Sequence, residues 1–386
     1  MDKTTKLQIL KELLQINSVN GNEVAVARYL QALFAQYGLT AKVDEFGNQR
    51  ANLILEVGSG DRVLGVTGHM DTVAVGDEAA WHHPPFGATV IGDKVYARGA
   101  ADMKSGLAAQ AIALIELAQA GAFPGHVRFL ATAGEEFGTP GANRLAAQGQ
   151  ATDLAALLVG EGTSGNVVYA HAGSINYRLT SQGKAAHSST PERGINALAP
   201  LVSFFAKEQH LFDEAAVDPL LGPVKHSVTV IKGGEQVNSI PATAELLGNV
   251  RPTKAVPNQV VIERLQRLAA QLDAATPGIS LELEVLHDFY PVASAPTGAF
   301  AQLALTAAKQ AFAQLALTGR PVPTLETING ATDASVFAKV NPDLPVVVLG
   351  PDAWECSHQV NEWTTISSYL AVIEAYKTLI TNFANA

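Results

Sequence analysis

Five clusters of acidic or histidine residues occur in fixed order along this chain of 386 residues, and four of them follow an apolar run or open a helix. They are Gly68-His69-Met70-Asp71, Ala101-Asp102-Met103, Gly134-Glu135-Glu136, Gly160-Glu161-Gly162 and Ser357-His358. Such clusters meet at one point only if the strands before them end side by side, and ligands in open α/β sheets gather beyond those carboxyl ends. Two histidines with four or five carboxylates converging there is what a two-zinc hydrolytic site requires.

The apolar spacing is consistent with that architecture. A helix is predicted from Val24, Ala27, Leu30, Leu33, Phe34 and Tyr37, stopped by Gly38. Strands follow over about 52–57 and 62–67, a helix over 104–120, a strand over 126–132, a helix near 141–148 and a strand over 155–159. Strands alternating with helices imply a parallel or mixed sheet covered on both faces. From about Gly173 the order becomes strand 174–181, helix 196–209, strands 225–231 and 243–250, helix 258–272 and strand 280–286. That βαββαβ order is the ferredoxin-like split motif, complete in itself, and it reads as an inserted domain. The α/β pattern then resumes with helices over 297–317 and 334–339, a strand over 345–349 and a last helix from Thr365. The expected domains are therefore a discontinuous catalytic one, 1–172 with 289–386, and an inserted one, 173–288. A chain of this length exceeds one ordinary core.

Composition narrows the partners. A net charge of −10 argues against nucleic acid, whose phosphates need a basic face, and against an anionic membrane surface. The single cysteine, Cys356, cannot form an internal disulfide. No apolar run reaches transmembrane length and Met1-Asp2-Lys3-Thr4-Thr5 opens no signal peptide, so a cytoplasmic location is expected.

Each cluster taken singly has an ordinary explanation. His69 and Asp71 could sit in a surface turn. In extended chain residues two apart face one side, so Asp71 could equally accept a hydrogen bond from one ring nitrogen of His69 while the other binds metal. Asp102 could be a helix N-cap, or a carboxylate kept ionised beside a helix N-terminus while bridging two cations. Glu135 and Glu136 could be a solvated acidic turn, or a pair in which one binds metal and the other acts as general base. His358 alone could be a satisfied polar partner. Zinc takes mixed imidazole and carboxylate ligands, and no cysteine set competes for it here.

The segments Gly68-His69-Met70-Asp71-Thr72-Val73, Arg98 to Gly106, Ala133 to Gly138 and Gly160-Glu161-Gly162 resemble those of one family. It is the co-catalytic zinc family of acetylornithine deacetylase, succinyl-diaminopimelate desuccinylase, aminoacylase and carboxypeptidase G. The resemblance runs from about Leu7 to the last helix. It implies two zinc ions per subunit, with cobalt or manganese as substitutes. His69 and Glu161 would complete one site, Glu136 and His358 the other, and Asp102 would bridge them. Asp71 would orient His69, and Glu135 would be the general acid/base. The family also implies a cis peptide bond between Asp102 and Met103.

In the inserted domain, Gly183 to Ser189 resembles the segment whose histidine, here His187, stabilises the oxyanion, often across a dimer. Asn238 and Arg251 resemble the residues that grip the substrate carboxylate, for which a planar guanidinium is suited. Asn249 departs from the usual aspartate before that arginine, and Ala331 from a usual glycine. The resemblance implies an N-acyl amino acid deacylase of the desuccinylase or deacetylase type, serving amino-acid biosynthesis such as that of lysine. A peptidase acting on short peptides is the alternative. A homodimer through the inserted lid domain and a small-molecule substrate go with either.

Overall fold

The computed structural model describes residues 1–314, 321–352 and 354–386. The chain divides into two compact units. The first comprises Met1–Ala170, Ala293–Thr327 and Thr332–Ala386, and the second His171–Val292 with Ile328–Ala331.

The first unit is built on a mixed sheet of nine strands. At its centre Val63–His69 lies between His126–Thr132 and Leu154–Val159, parallel to both. Val346–Val348 extends the parallel set beyond Leu154–Val159. On the opposite side Arg50–Gly58 and Lys42–Phe46 turn the edge antiparallel. Every residue of Val63–His69 is buried, as expected of a strand covered on both faces.

The helix Lys104–Gln119 is buried from Lys104 to Ile115 and apolar almost all round, so it lies inside the unit. It packs against Val63–His69 and against the helices Lys3–Gln15 and Ile366–Ala384. Leu107, Ile112, Leu114 and Ile115 are wholly buried there, and burial of each such side chain stabilises by roughly 1.5–3 kcal/mol. The predicted helix over 297–317 is present as Ala299–Gln314, and its last three expected residues lie outside the described ones.

Three kinds of element differ from the expectation. Lys3–Gln15 is a helix that the sequence reading passed over, although Asp2 caps it by accepting a hydrogen bond from the Thr5 amide at 2.7 Å. The edge strand Lys42–Phe46 and the strands Val167–His171 and Leu325–Ile328 were also unforeseen. So was a three-stranded sheet of Thr89–Ile91, Lys94–Tyr96 and Trp363–Thr365.

The second unit carries a four-stranded sheet in the order Lys225–Gly233, Thr243–Arg251, Ser174–Gln182, Ser280–Phe289, antiparallel throughout. With the helices Leu198–Glu208 and Asn258–Ala275 in chain order, this is the ferredoxin-like βαββαβ arrangement. Its own core gathers Ile175, Tyr177 and Leu179 from the central strand with Leu201, Phe204, Val261 and Leu265 from the helices. The mixed-sheet α/β class and the inserted motif are as the sequence implied.

Candidate metal centre

His69 ends the central strand, and its ring is buried. Its Nε2 lies 2.9 Å from Asp102 Oδ1 and 3.4 Å from Glu161 Oε1. On the other side, His358 Nε2 lies 2.9 Å from Glu136 Oε1 and 3.2 Å from Asp102 Oδ2. The two oxygens of Asp102 are thus divided between two sets, each with one imidazole and one further carboxylate. Ligand atoms of His69, Asp102 and Glu136 fall within 4.8 Å of one another. Around a tetrahedral zinc with ligands at about 2.0–2.1 Å, neighbouring ligand atoms stand about 3.3 Å apart. The observed separations fit two such ions sharing Asp102.

The electrostatics are compatible with that arrangement. Burial raises the Glu161 carboxyl to about 8, with the charge of Asp102 adding to it. Hydrogen bonds to Asp102 and Glu136 hold His358 up at about 10. Burial opposes the charge on Asp102, but bonds to His358 and His69 outweigh it and keep the carboxyl well below its usual range. Carboxylates packed this closely call for positive charge between them, which divalent cations supply.

Local sequence explains how these groups come together. Gly160 follows Leu154–Val159, and a Cβ on Gly106 would stand 1.8 Å from the Gly160 carbonyl oxygen. Only glycine at position 106 lets the first turn of Lys104–Gln119 press against the chain that presents Glu161. At the other end of that turn the Asp102–Met103 peptide bond is cis, as the family resemblance implied. His358 has a left-handed φ of 62°. The base of its loop is tied by the buried Asp352 carboxylate, which accepts hydrogen bonds from the Thr364 and Thr365 hydroxyls at 2.9 and 3.0 Å.

Asp71 faces both His69 and the loop of Glu135 and Glu136. Its carboxylate lies 3.6 Å from His69 Nδ1. The backbone carbonyl of Asp71 stands 3.0 Å from that nitrogen and can take its proton. The carboxylate also accepts the amides of Gly134, Glu135 and Glu136 at 2.8, 3.1 and 3.2 Å. It folds the loop that carries Glu135 and Glu136. The reason is electrostatic: the successive N–H groups of Gly134, Glu135 and Glu136, at the start of the turn Glu135–Phe137, converge on one anion.

Glu135 stands beside the ligand set, and among the described residues its carboxylate makes no ion pair or hydrogen bond to it. Burial pushes its carboxyl well above the ordinary range; His69 pulls it down while Asp333, Glu161 and Glu136 push it up. Asp333 was not singled out from sequence. It is buried, takes a hydrogen bond from the Thr132 hydroxyl at 2.5 Å, and burial raises it to about 6. Glu362 and Arg98 were also missed as partners, and nothing in their immediate sequence marks them. Burial raises the Cys356 thiol to about 11, which favours the neutral thiol over the thiolate.

The remaining three sequence candidates belong to the second unit. His187 lies in the short strand Ala186–His187, paired with Ser239–Ile240, and its Nδ1 is 2.8 Å from Ser189 Oγ. The Asn238 carbonyl accepts from the Ser188 amide at 3.0 Å, so His187 and Asn238 belong to one small knot of chain. Arg251 ends Thr243–Arg251, half-buried, and burial lowers its proton affinity from the ordinary value.

Comparison with known proteins agrees with this geometry. A family model described as Peptidase family M20/M25/M40 matches residues 65–382, and the chain belongs to that family. It is accordingly a hydrolase acting on amide bonds. A protein named probable succinyl-diaminopimelate desuccinylase from Staphylococcus aureus is 33% identical over 399 aligned positions, covering 96% of each chain. Among solved structures, an M20 family metallo-carboxypeptidase from Sulfolobus solfataricus superposes with a TM-score of 0.81 at 18% identity, covering 100% of both chains. A tripeptidase from Staphylococcus aureus gives a TM-score of 0.77 at 22% identity, again over 100% of both. At those identities the structures bear on the fold alone.

Proposed function

We propose that this hydrolase removes an N-acyl group from an amino acid at a centre of two zinc ions, with N-succinyl-LL-diaminopimelate as the leading substrate. The observation that carries the reading is the division of Asp102 between two histidine–carboxylate pairs. The substrate class is supported by the desuccinylase name of the relative at 33% identity. His69 and Glu161 would hold one ion, His358 and Glu136 the other, and Asp102 both. When bound, the ions would act as Lewis acids that activate water and polarise the acyl carbonyl.

Glu135 takes the proton of the attacking water and delivers it to the leaving amine as the C–N bond breaks. Its high proton affinity suits both halves of that task. Asp71 holds Glu135 and Glu136 in register through their amides, so that a ligand and a base are set by one anion. His187 is proposed to stabilise the oxyanion, and Asn238 and Arg251 to bind the substrate carboxylate. Removal of one oxyanion donor typically costs about 2.7–4 kcal/mol of transition-state stabilisation. Self-association through the second unit is part of the same proposal. Sedimentation of the purified chain as a monomer would remove that part.

Steady-state hydrolysis of N-succinyl-LL-diaminopimelate, N-acetylornithine and unblocked dipeptides by zinc-loaded protein tests the substrate class. Preference for an acylated amino acid is expected. Cleavage of dipeptides alone would move the chain to the peptidases and leave the metal centre unchanged.

A further inference from the structure

The loop that carries the bridging aspartate is folded around a second buried anion, Glu362. Its carboxylate accepts the amides of Ala101 and Asp102 at 2.8 and 3.1 Å through one oxygen, and the amide of Gly99 at 3.2 Å through the other. The second oxygen is also paired with the Arg98 guanidinium, and both side chains are almost wholly buried. Arg98 in turn donates to the Ala74 carbonyl at 3.1 Å. Glu362 follows His358 by four residues and immediately precedes the strand Trp363–Thr365. That strand pairs with Lys94–Tyr96, just before Arg98.

The arrangement repeats what Asp71 does for Gly134, Glu135 and Glu136. In each case a carboxylate close in sequence to a histidine of the centre accepts three amides of a loop bearing acidic residues of the centre. Asp71 ties the His69 segment to the Glu136 loop, and Glu362 ties the His358 segment to the Asp102 loop. Each clamp therefore joins a histidine of one metal set to a carboxylate that serves the other or both. We infer that Glu362 is a positioning residue: it fixes Asp102 relative to His358, so that both ion sites depend on a side chain that touches neither ion. A buried carboxylate with this many charge-assisted hydrogen bonds is held rigidly, and outer partners of ligands typically govern metal affinity about 10–100-fold.

This inference rests on the two-metal reading above, and its test keeps the two apart. Metal-free wild-type protein is titrated with zinc, alongside Glu362→Gln and Glu362→Asp, with circular dichroism confirming the folded state at the titration temperature. Two ions per wild-type chain are expected; fewer would overturn the two-metal reading whatever the variants do. Glu362→Gln is expected to weaken zinc binding about 10–100-fold and to lower kcat at saturating metal with KM unchanged. Glu362→Asp preserves the charge beside Arg98 but withdraws it from the amides, and should weaken binding in the same direction by a smaller factor. It carries the test alone if the glutamine variant does not fold. Wild-type zinc affinity and kcat in the folded variants, with only a lowered Tm, would show a merely structural role and overturn the inference.

Discussion

At the scale of single residues, neighbouring glutamates in one turn have different surroundings, which is the basis of the different roles proposed for them. Glu136 points an oxygen at His358 at 2.9 Å and at the shared Asp102 set. Glu135 is left to burial and to negative neighbours, which raise its affinity for a proton. Separation of roles by environment is what general acid/base chemistry needs near neutral pH. Glu135→Ala should lower kcat by about 10²–10⁴-fold while zinc content, measured by elemental analysis, stays at the wild-type level. Loss of metal together with turnover would assign Glu135 to coordination.

At the scale of elements, the helix Lys104–Gln119 connects the metal centre to the rest of the first unit. Its first turn approaches Gly160 so closely that a methyl group at position 106 has no space. Gly106→Ala should destabilise by about 1–3 kcal/mol or more and weaken zinc binding by displacing Glu161; denaturant unfolding and zinc titration check the two effects. Unchanged values for both would mean that the contact is not what seats Glu161. Near the other end of the helix, Glu116 pairs with Lys6 of Lys3–Gln15 at 2.9 Å and with Lys377 of Ile366–Ala384 at 2.8 Å. Burial opposes its charge, but these partners and the Met1 amino group hold the carboxyl down at about 2 from an ordinary 4.5. A depressed folded-state pKa stabilises the fold fully above the unfolded value, and that stability is lost as pH falls toward the folded one. With allowance for solvent screening the pairing contributes about 2–3 kcal/mol. The stability difference between wild type and Glu116→Gln should therefore shrink between pH 4.5 and pH 2. A difference constant across that window would contradict the assignment.

At the scale of the whole molecule, what the sequence made legible follows from which interactions are local. Leu154–Val159 is an apolar run bounded by turn residues, and it reads as a strand because burial on both faces leaves no alternation. Four of the five clusters stand after strands or at a helix start, which is what points to their convergence from sequence; His358 stands ten residues beyond Val346–Val348 and has no such cue. Trp363–Thr365 and Lys94–Tyr96 are three residues each, too short for a period to register. Glu362 acts on amides about 260 positions earlier in the chain, and a side chain defined by such partners has no local signature. For Asp71, spacing gives the side it faces and not the three amides that its carboxylate also accepts. The Lys3–Gln15 helix, outside the sequence expectations, has a local signature in Ile9, Leu10, Leu13 and Leu14 behind an aspartate cap.

The proposed centre depends on one aspartate, Asp102, serving two ions. The most direct measurement is zinc stoichiometry of the reloaded wild-type chain and of Asp102→Ala, by elemental analysis after exhaustive dialysis. Two zinc ions per wild-type chain are expected, and loss of both, with all hydrolysis, in the variant. A wild-type chain that binds one ion, or a variant that retains one at full affinity, would contradict it.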